Sequence, residues 1–360
     1  MKETFRILFP GLGIEEFTMN RIAFSIGKIE IRWYGILITL GIALAFVYAY
    51  FRGKRNEGVV FDDIIDIGLC TVTLGVIGAR TYYVLTTLDS HTYNSFMDVI
   101  AIWNGGIAIY GAIIGGGIGI LIGCKWKKIR WQKLVDMAAP GLIIAQALGR
   151  WGNFCNGEAY GYAIGSTTRF YFFNTEYILK SGEGTLFHTL RMGLYDTSWS
   201  QEPTFYHPTF FYESMWNLLG FVLLHLFYKR KKYDGQIALM YFVWYGFGRM
   251  FVEGFRTDSL YIPGTTLRIS QCLAVFCVVV GSVALIVLHV LGKERGFAPV
   301  FATPVPTKSA AGETVAQAEV EISNEACGVE LINENDEETN AELNEEAQIE
   351  TEERENGNLD

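Results

Sequence analysis

The sequence predicts an all-α polytopic membrane protein with seven transmembrane helices, and three observations lead there. Half of the 360 residues are hydrophobic and the mean hydropathy is +0.23, too apolar for an ordinary soluble chain of this length. The apolar residues come in runs and not in amphipathic stripes. Basic loops alternate with loops poor in Lys and Arg, the pattern of a chain that crosses a bilayer repeatedly with its positive loops inside.

The elements follow in chain order. Residues 1–32 form an outer-face arm, in which RIAFSIGKIEIRWYG (21–35) alternates apolar and polar residues around Gly27-Lys28 like a small hairpin. No charged start with an apolar core and cleavage site marks a signal peptide. A helix needs about 20 mostly apolar residues to cross a bilayer. Seven windows meet this, near 33–51, 64–88, 100–123, 134–150, 208–228, 236–253 and 269–291. The loops FRGKRNEG (51–58), CKWKKIRWQK (124–133), YKRKKYDG (228–235) and GKER (292–295) are basic, whereas those near 89–98, 151–207 and 254–268 are not. That asymmetry puts the N-terminus outside and the C-terminus in the cytoplasm, with residues 33–295 as the membrane domain. The aromatic loop 162–207 is too long for a simple connection and makes a small outer head.

The formal net charge of −9 is unevenly spread. Residues 301–360 carry 17 Asp and Glu against Lys308 and Arg354, net −15, which leaves +6 for the rest. Residues 296–360 are therefore expected to be a disordered acidic cytoplasmic tail. The six cysteines form no C-x-x-C pair and no metal spacing, so free thiols are expected, with Cys155 as a buried filler. No metal site and no nucleic-acid surface is indicated.

Polar residues concentrate where the spans meet the outer face. GRWGNFCNGEAYG (149–161) follows directly on the apolar run APGLIIAQAL and brings Arg150, Asn153, Asn156 and Glu158 within nine residues. Such a cluster is costly in lipid without partners or water. Arg249 and Glu253 close the sixth window at the same face, Tyr34 opens the first, and Arg80 and Tyr110 lie in the outward halves of the second and third. One arginine near a span end reads as snorkelling. Three from three spans, without an equal number of carboxylates, describe an anion site, and a guanidinium fork matches the phosphate of a phospholipid. The glycine run 103–119 allows close approach of helices or of a lipid.

The stretch 149–161 resembles the signature G-R-x-G-N-F-x-N-x-E-x-x-G of prolipoprotein diacylglyceryl transferases, with every fixed position matched. IRWYG (31–35), GAR (78–80), HPTFFYE (207–213) and YGFGRMFVEGFR (245–256) agree in order, so the likeness runs from about residue 20 to 292. The resemblance implies transfer of the diacylglyceryl group of phosphatidylglycerol to the lipobox cysteine of a prolipoprotein, in the cell membrane with the site toward the outer leaflet, and without a cofactor. It implies that Arg150 and Arg249 stabilise the departing phosphate. Asn153, Asn156, Glu158 and Gly161 would bind the head group and build the site, with Tyr245, Glu253 and Arg256 shaping its surroundings. Tyr34 and Arg80 would touch the head group. Glu158 and Glu253 are equally readable as counter-ions of the arginines. Part of the family carries His-Gly-Gly in the third span; here Tyr110-Gly111-Ala112 stands there, and Tyr110 is read as an orienting residue because tyrosine titrates near 10. His207, beside Pro208, is read as a substrate contact or a helix cap.

Two other classes compete. An anion transporter would also place arginines near broken helices, but no internal repeat is evident. A CDP-alcohol phosphotransferase needs an arginine where DGQIAL (234–239) has Leu239.

Overall fold

In a computed structural model of the chain, residues 4–294 are described, apart from 28, 89–92, 94, 103–104, 196–201 and 263. The acidic extension expected over 296–360, with Cys327, lies outside the described residues.

Seven helices of 19 to 27 residues, counted among the described residues, fall on the seven apolar windows: α1 (Trp33–Arg52), α2 (Phe61–Thr87), α4 (Ile109–Lys127), α5 (Trp131–Asn156), α7 (Thr209–Tyr228), α8 (Gln236–Phe255) and α9 (Ile269–Glu294). Two short helices, α3 (Phe96–Ile100) and α6 (Leu186–Leu190), complete the set. Five of the long helices have the length and apolar composition to cross a bilayer. The other two, α5 and α8, carry the polar residues described below. Side chains such as Leu69, Leu85, Ile113, Ile114, Phe276 and Val283 are exposed on the bundle. Exposed apolar surface of this extent is the lipid-facing wall of a polytopic membrane protein.

Glycine sets the tightest crossing. On α2 and α4, a Cβ on Gly78 would lie 3.0 Å from Gly115 Cα, and one on Gly111 would run into the Gly78 backbone. The two backbones therefore touch, and the glycine run serves helix packing. The third window begins later than the sequence suggests. α3 ends at Ile100, and α4 starts only at Ile109, because Gly105 and Gly106 adopt φ of +84° and +74° that no helix continues.

At the basic end, Lys231 is fully buried against Glu57 (2.6 Å), Asp136 (3.1 Å) and Asp234 (3.2 Å). Asp136 also accepts the Gly235 and Ala238 N–H groups, capping α8. Between α7 and α8, Trp216 and Trp244 stack at 4.2 Å and each indole N–H donates to the other's carbonyl at 3.0 Å. These contacts hold the helices at one relative height.

The opposite end carries a β-structured head, of which the all-α reading expected only the small hairpin around Gly27-Lys28, present as the antiparallel pair Ile22–Ile26 and Ile29–Arg32. β1 (Thr4–Phe9) and β2 (Ile14–Asn20) join β7 (Met192–Leu194) and β8 (Thr204–Tyr206) in an antiparallel sheet of order β2-β1-β7-β8. β3 (Ile22–Ile26) pairs with β4 (Ile29–Arg32), and β5 (Thr167–Phe172) with β6 (Thr175–Lys180). Ile7, Phe9, Met192 and Leu194 pack on Phe154, Cys155 and Phe210, so the sheet seats directly on the ends of α5 and α7. Cys155 is thus a core residue, and the five described cysteines are free.

Candidate active site

The signature segment makes the end of α5 and its turn back. Arg150 and Asn153 lie one turn apart, and Arg150 Nη1 donates to Asn153 Oδ1 at 3.2 Å. Gly157, at φ +62°, ends the helix in the left-handed conformation that glycine adopts freely. The reversal returns Glu158 over the last turn, where its Oε1 accepts from Asn153 and from Asn156, each at 3.1 Å. Glu158 is therefore the partner of two asparagines, not of an arginine. Gly161 sits where the chain passes between strand and helix ends. Its N–H donates to the His207 carbonyl at 2.9 Å, and a Cβ there would fall 2.7 Å from both His207 Cβ and Phe255 O.

α8 contributes a ladder at four-residue spacing, Tyr241, Tyr245, Arg249 and Glu253, which is one helix face. The centre of the site is a residue that sequence reasoning passed over. Glu213, on α7 and 2% exposed, accepts from Arg150 Nη2 at 2.9 Å and from Arg249 Nη1 at 2.9 Å. The Tyr245 hydroxyl lies 3.5 Å from the same carboxylate, and Arg249 Nη2 also pairs with Glu253. Arg268, itself buried, donates to the Glu253 carbonyl and to the Tyr162 hydroxyl. Two guanidiniums from α5 and α8 are thus locked across one carboxylate from α7. The excess of arginine over carboxylate inferred from sequence does not survive, because Glu213 and Glu253 balance this pair. Arg256 in turn forms a fork with Asp258 at 2.9 and 2.7 Å. Burial tends to raise the Asp258 pKa, but the Arg256 fork outweighs it and holds the carboxyl below its usual range.

Other expected residues stand apart from this network. Tyr34 packs its ring over Gly152 of α5, beside the site. Arg80 gives its guanidinium to four backbone carbonyls, of Asp98, Val99, Gly105 and Gly106, at 2.7 to 2.8 Å. It holds the α3–α4 connection in place. Tyr110, the second residue of α4, faces Tyr82 with ring centroids 6.4 Å apart. His207 is fully buried, with Nε2 2.9 Å from Thr168 Oγ1 and Nδ1 3.3 Å from the Tyr212 hydroxyl. It neither caps α7, whose N-cap is Pro208, nor reaches the arginines; it joins the head to α7. Burial pushes its pKa down to about 4. Among the described residues no group of three or more His, Cys, Asp and Glu side chains is placed to hold a metal ion.

A buried network of two guanidiniums and two carboxylates inside an apolar helical bundle is that of a polytopic membrane protein with a polar centre. The sequence profile described as prolipoprotein diacylglyceryl transferase matches residues 21–287. The chain is 39% identical over 279 residues to phosphatidylglycerol–prolipoprotein diacylglyceryl transferase 1 of Clostridium perfringens strain 13, covering 77% of this chain and 97% of that protein. It is 40% identical over 270 residues to the Streptococcus agalactiae serotype Ia protein of the same type, covering 74% and 95%, and 39% identical over 287 residues to that of Streptococcus pneumoniae Hungary19A-6, covering 79% and 98%. The chain belongs to the prolipoprotein diacylglyceryl transferase family.

Proposed function

We propose that this chain transfers the diacylglyceryl group of phosphatidylglycerol to the lipobox cysteine of prolipoproteins, the first step of lipoprotein maturation. The cysteine sulfur forms a bond to the sn-3 carbon of the diacylglyceryl moiety, the bond from that carbon to the phosphate oxygen breaks, and glycerol phosphate leaves. The thiol proton is released to solvent or leaves on the departing phosphate monoester, so that atoms and charge balance.

The observation that carries this reading is the Arg150–Glu213–Arg249 bridge. Each guanidinium has five N–H donors, more than its carboxylate contacts consume, and the carboxylates hold both planes in place before a phosphate arrives. Charge that builds on the leaving phosphate then meets two fixed forks in a site shielded from water. Tyr245 and Glu253 keep Arg249 in that pose, and Asn153 does so for Arg150. Asn156, Glu158 and Gly161 build the turn that closes the site, and Arg256 and His207 fasten the head above it. Tyr34 lines the flank, and Tyr110 orients thiol or phosphate through its hydroxyl, with Arg80 fixing the segment before it.

In this reading the seven long helices all cross the bilayer, the β-structured head lies on the outer face and the basic loops lie in the cytoplasm. The reacting groups then sit in the outer leaflet, where an exported prolipoprotein presents its cysteine. Purified protein supplied with phosphatidylglycerol and a lipobox peptide should yield a thioether-lipidated peptide and glycerol phosphate in equal amounts. Folded protein that yields neither would exclude the activity.

A further inference from the structure

The polar interior does not stop at the arginines. α5 and α8 run toward the head and α7 runs away from it, so Gln146, Asn217 and Tyr241 each lie one turn, about 6 Å, deeper than Arg150, Glu213 and Tyr245. Gln146 Nε2 donates to the Tyr241 hydroxyl at 2.8 Å, which puts α5 and α8 at one height on this level. Asn217 is fully buried on the α7 face that carries Glu213, yet neither its Nδ2 nor its Oδ1 has a hydrogen-bond partner. Gln146 Oε1 is unpartnered as well. Buried amide atoms are nearly always satisfied, so three open ones on one level mark a place where something else binds. Below them the bundle closes with Ile143, Leu224, Tyr228 and Ile237.

The open atoms state the chemistry of the occupant. Asn217 Oδ1 and Gln146 Oε1 need donors, and Asn217 Nδ2 needs an acceptor. A phosphate only accepts and an ammonium only donates, whereas a hydroxyl does both. We propose that Asn217 and Gln146 bind the hydroxyls of the terminal glycerol of the donor head group, a reading that rests on phosphatidylglycerol as the donor. The phosphate then lies at Arg150 and Arg249, and the glycerol fills the level beneath. A three-carbon unit with its hydroxyls spans about 5 Å, close to one helical turn, and because Asn217 has no accessible surface the side chains of this level part to admit it. Asn217 and Gln146 thereby select a polyol head over an amine or an alkyl one.

The test compares phosphatidylglycerol with phosphatidylpropanol, which keeps the phosphate and the three carbons but lacks both hydroxyls, each with a lipobox peptide and the full-length enzyme in mixed micelles. Wild type should favour phosphatidylglycerol in kcat/KM by at least about tenfold, the value of one well-made hydrogen bond. Asn217→Leu and, independently, Gln146→Leu should bring that ratio toward one by losing rate with phosphatidylglycerol. Asn217→Leu should also unfold no earlier than wild type in the absence of lipid, since it removes an amide with no protein partner. An undiminished ratio in both variants would overturn the proposal and leave ordered water on this level. Wild type that treats the two lipids alike would overturn it too, with the donor reading intact. Wild type that transfers from neither lipid would instead remove the donor reading on which it rests.

Discussion

Replacing Glu213 by Gln tests whether one buried carboxylate holds the two arginines. The substitution keeps size and hydrogen-bonding capacity and removes the charge. The carboxylate is 2% exposed and sits 2.9 Å from a nitrogen of each guanidinium, so solvent screens neither contact well. Breaking a buried ion pair by removing one partner costs about 3–5 kcal/mol, and here one carboxylate serves two cations, which argues for the upper end. At about 2–4 °C per kcal/mol, the thermal midpoint in detergent should fall on the order of 6–20 °C. In an Arg249→Gln background the same change should cost less, with a coupling of at least about 0.5 kcal/mol. Added phosphatidylglycerol should raise the midpoint of Glu213→Gln more than that of wild type, because its phosphate supplies the missing negative charge. A midpoint within 1–2 °C of wild type, roughly the shift of half a kcal/mol, together with no coupling to Arg249, would refute the bridge as the organising contact.

His207 and Tyr110 give two further predictions. Because the folded chain holds His207 at about 4, below its ordinary value, the unfolded chain takes up a proton first as pH falls. Stability from this residue is complete above about pH 6.5 and drains away toward pH 4, on the order of 3 kcal/mol in all, and His207→Asn should flatten that slope in thermal melts. Identical slopes in the two proteins would remove His207 as the cause. Tyr110→Phe should slow transfer without altering the thermal midpoint, while Tyr110→His should retain part of the rate as a hydrogen-bond donor; an unchanged rate in Tyr110→Phe would reduce Tyr110 to packing against Tyr82.

The site was legible where polarity interrupted an apolar run. Arg150, Asn153, Asn156 and Glu158 declare themselves after APGLIIAQAL because lipid tolerates such a cluster only with partners, and the spacing of Tyr245, Arg249 and Glu253 puts them on one helix face. Glu213 escaped notice although HPTFFYE was plain to see. A lone carboxylate five residues into an apolar window, at the depth of two arginines, was the available signal, and helix polarity alone sets that depth. Arg80 was legible as a cation in the outward half of a span but not as a clasp, since its partners are main-chain carbonyls that no side-chain pattern reveals. The head sheet was hidden because β1 finds β7 across more than 180 residues, and strands of three to seven residues leave little periodicity. The late start of α4 lay in Gly105-Gly106, which apolar neighbours disguised as part of a span.

The central claim is that the two guanidiniums stabilise the leaving phosphate as planar forks. Single-turnover transfer from phosphatidylglycerol to a lipobox peptide by Arg150→Lys and Arg249→Lys measures it most directly, since lysine keeps the charge and loses the fork. Each folded variant should react about 10²–10³-fold more slowly at saturating lipid, the effect of removing one donor from an oxyanion site. Rates within about twofold of wild type in both, less than RT in free energy, would contradict it.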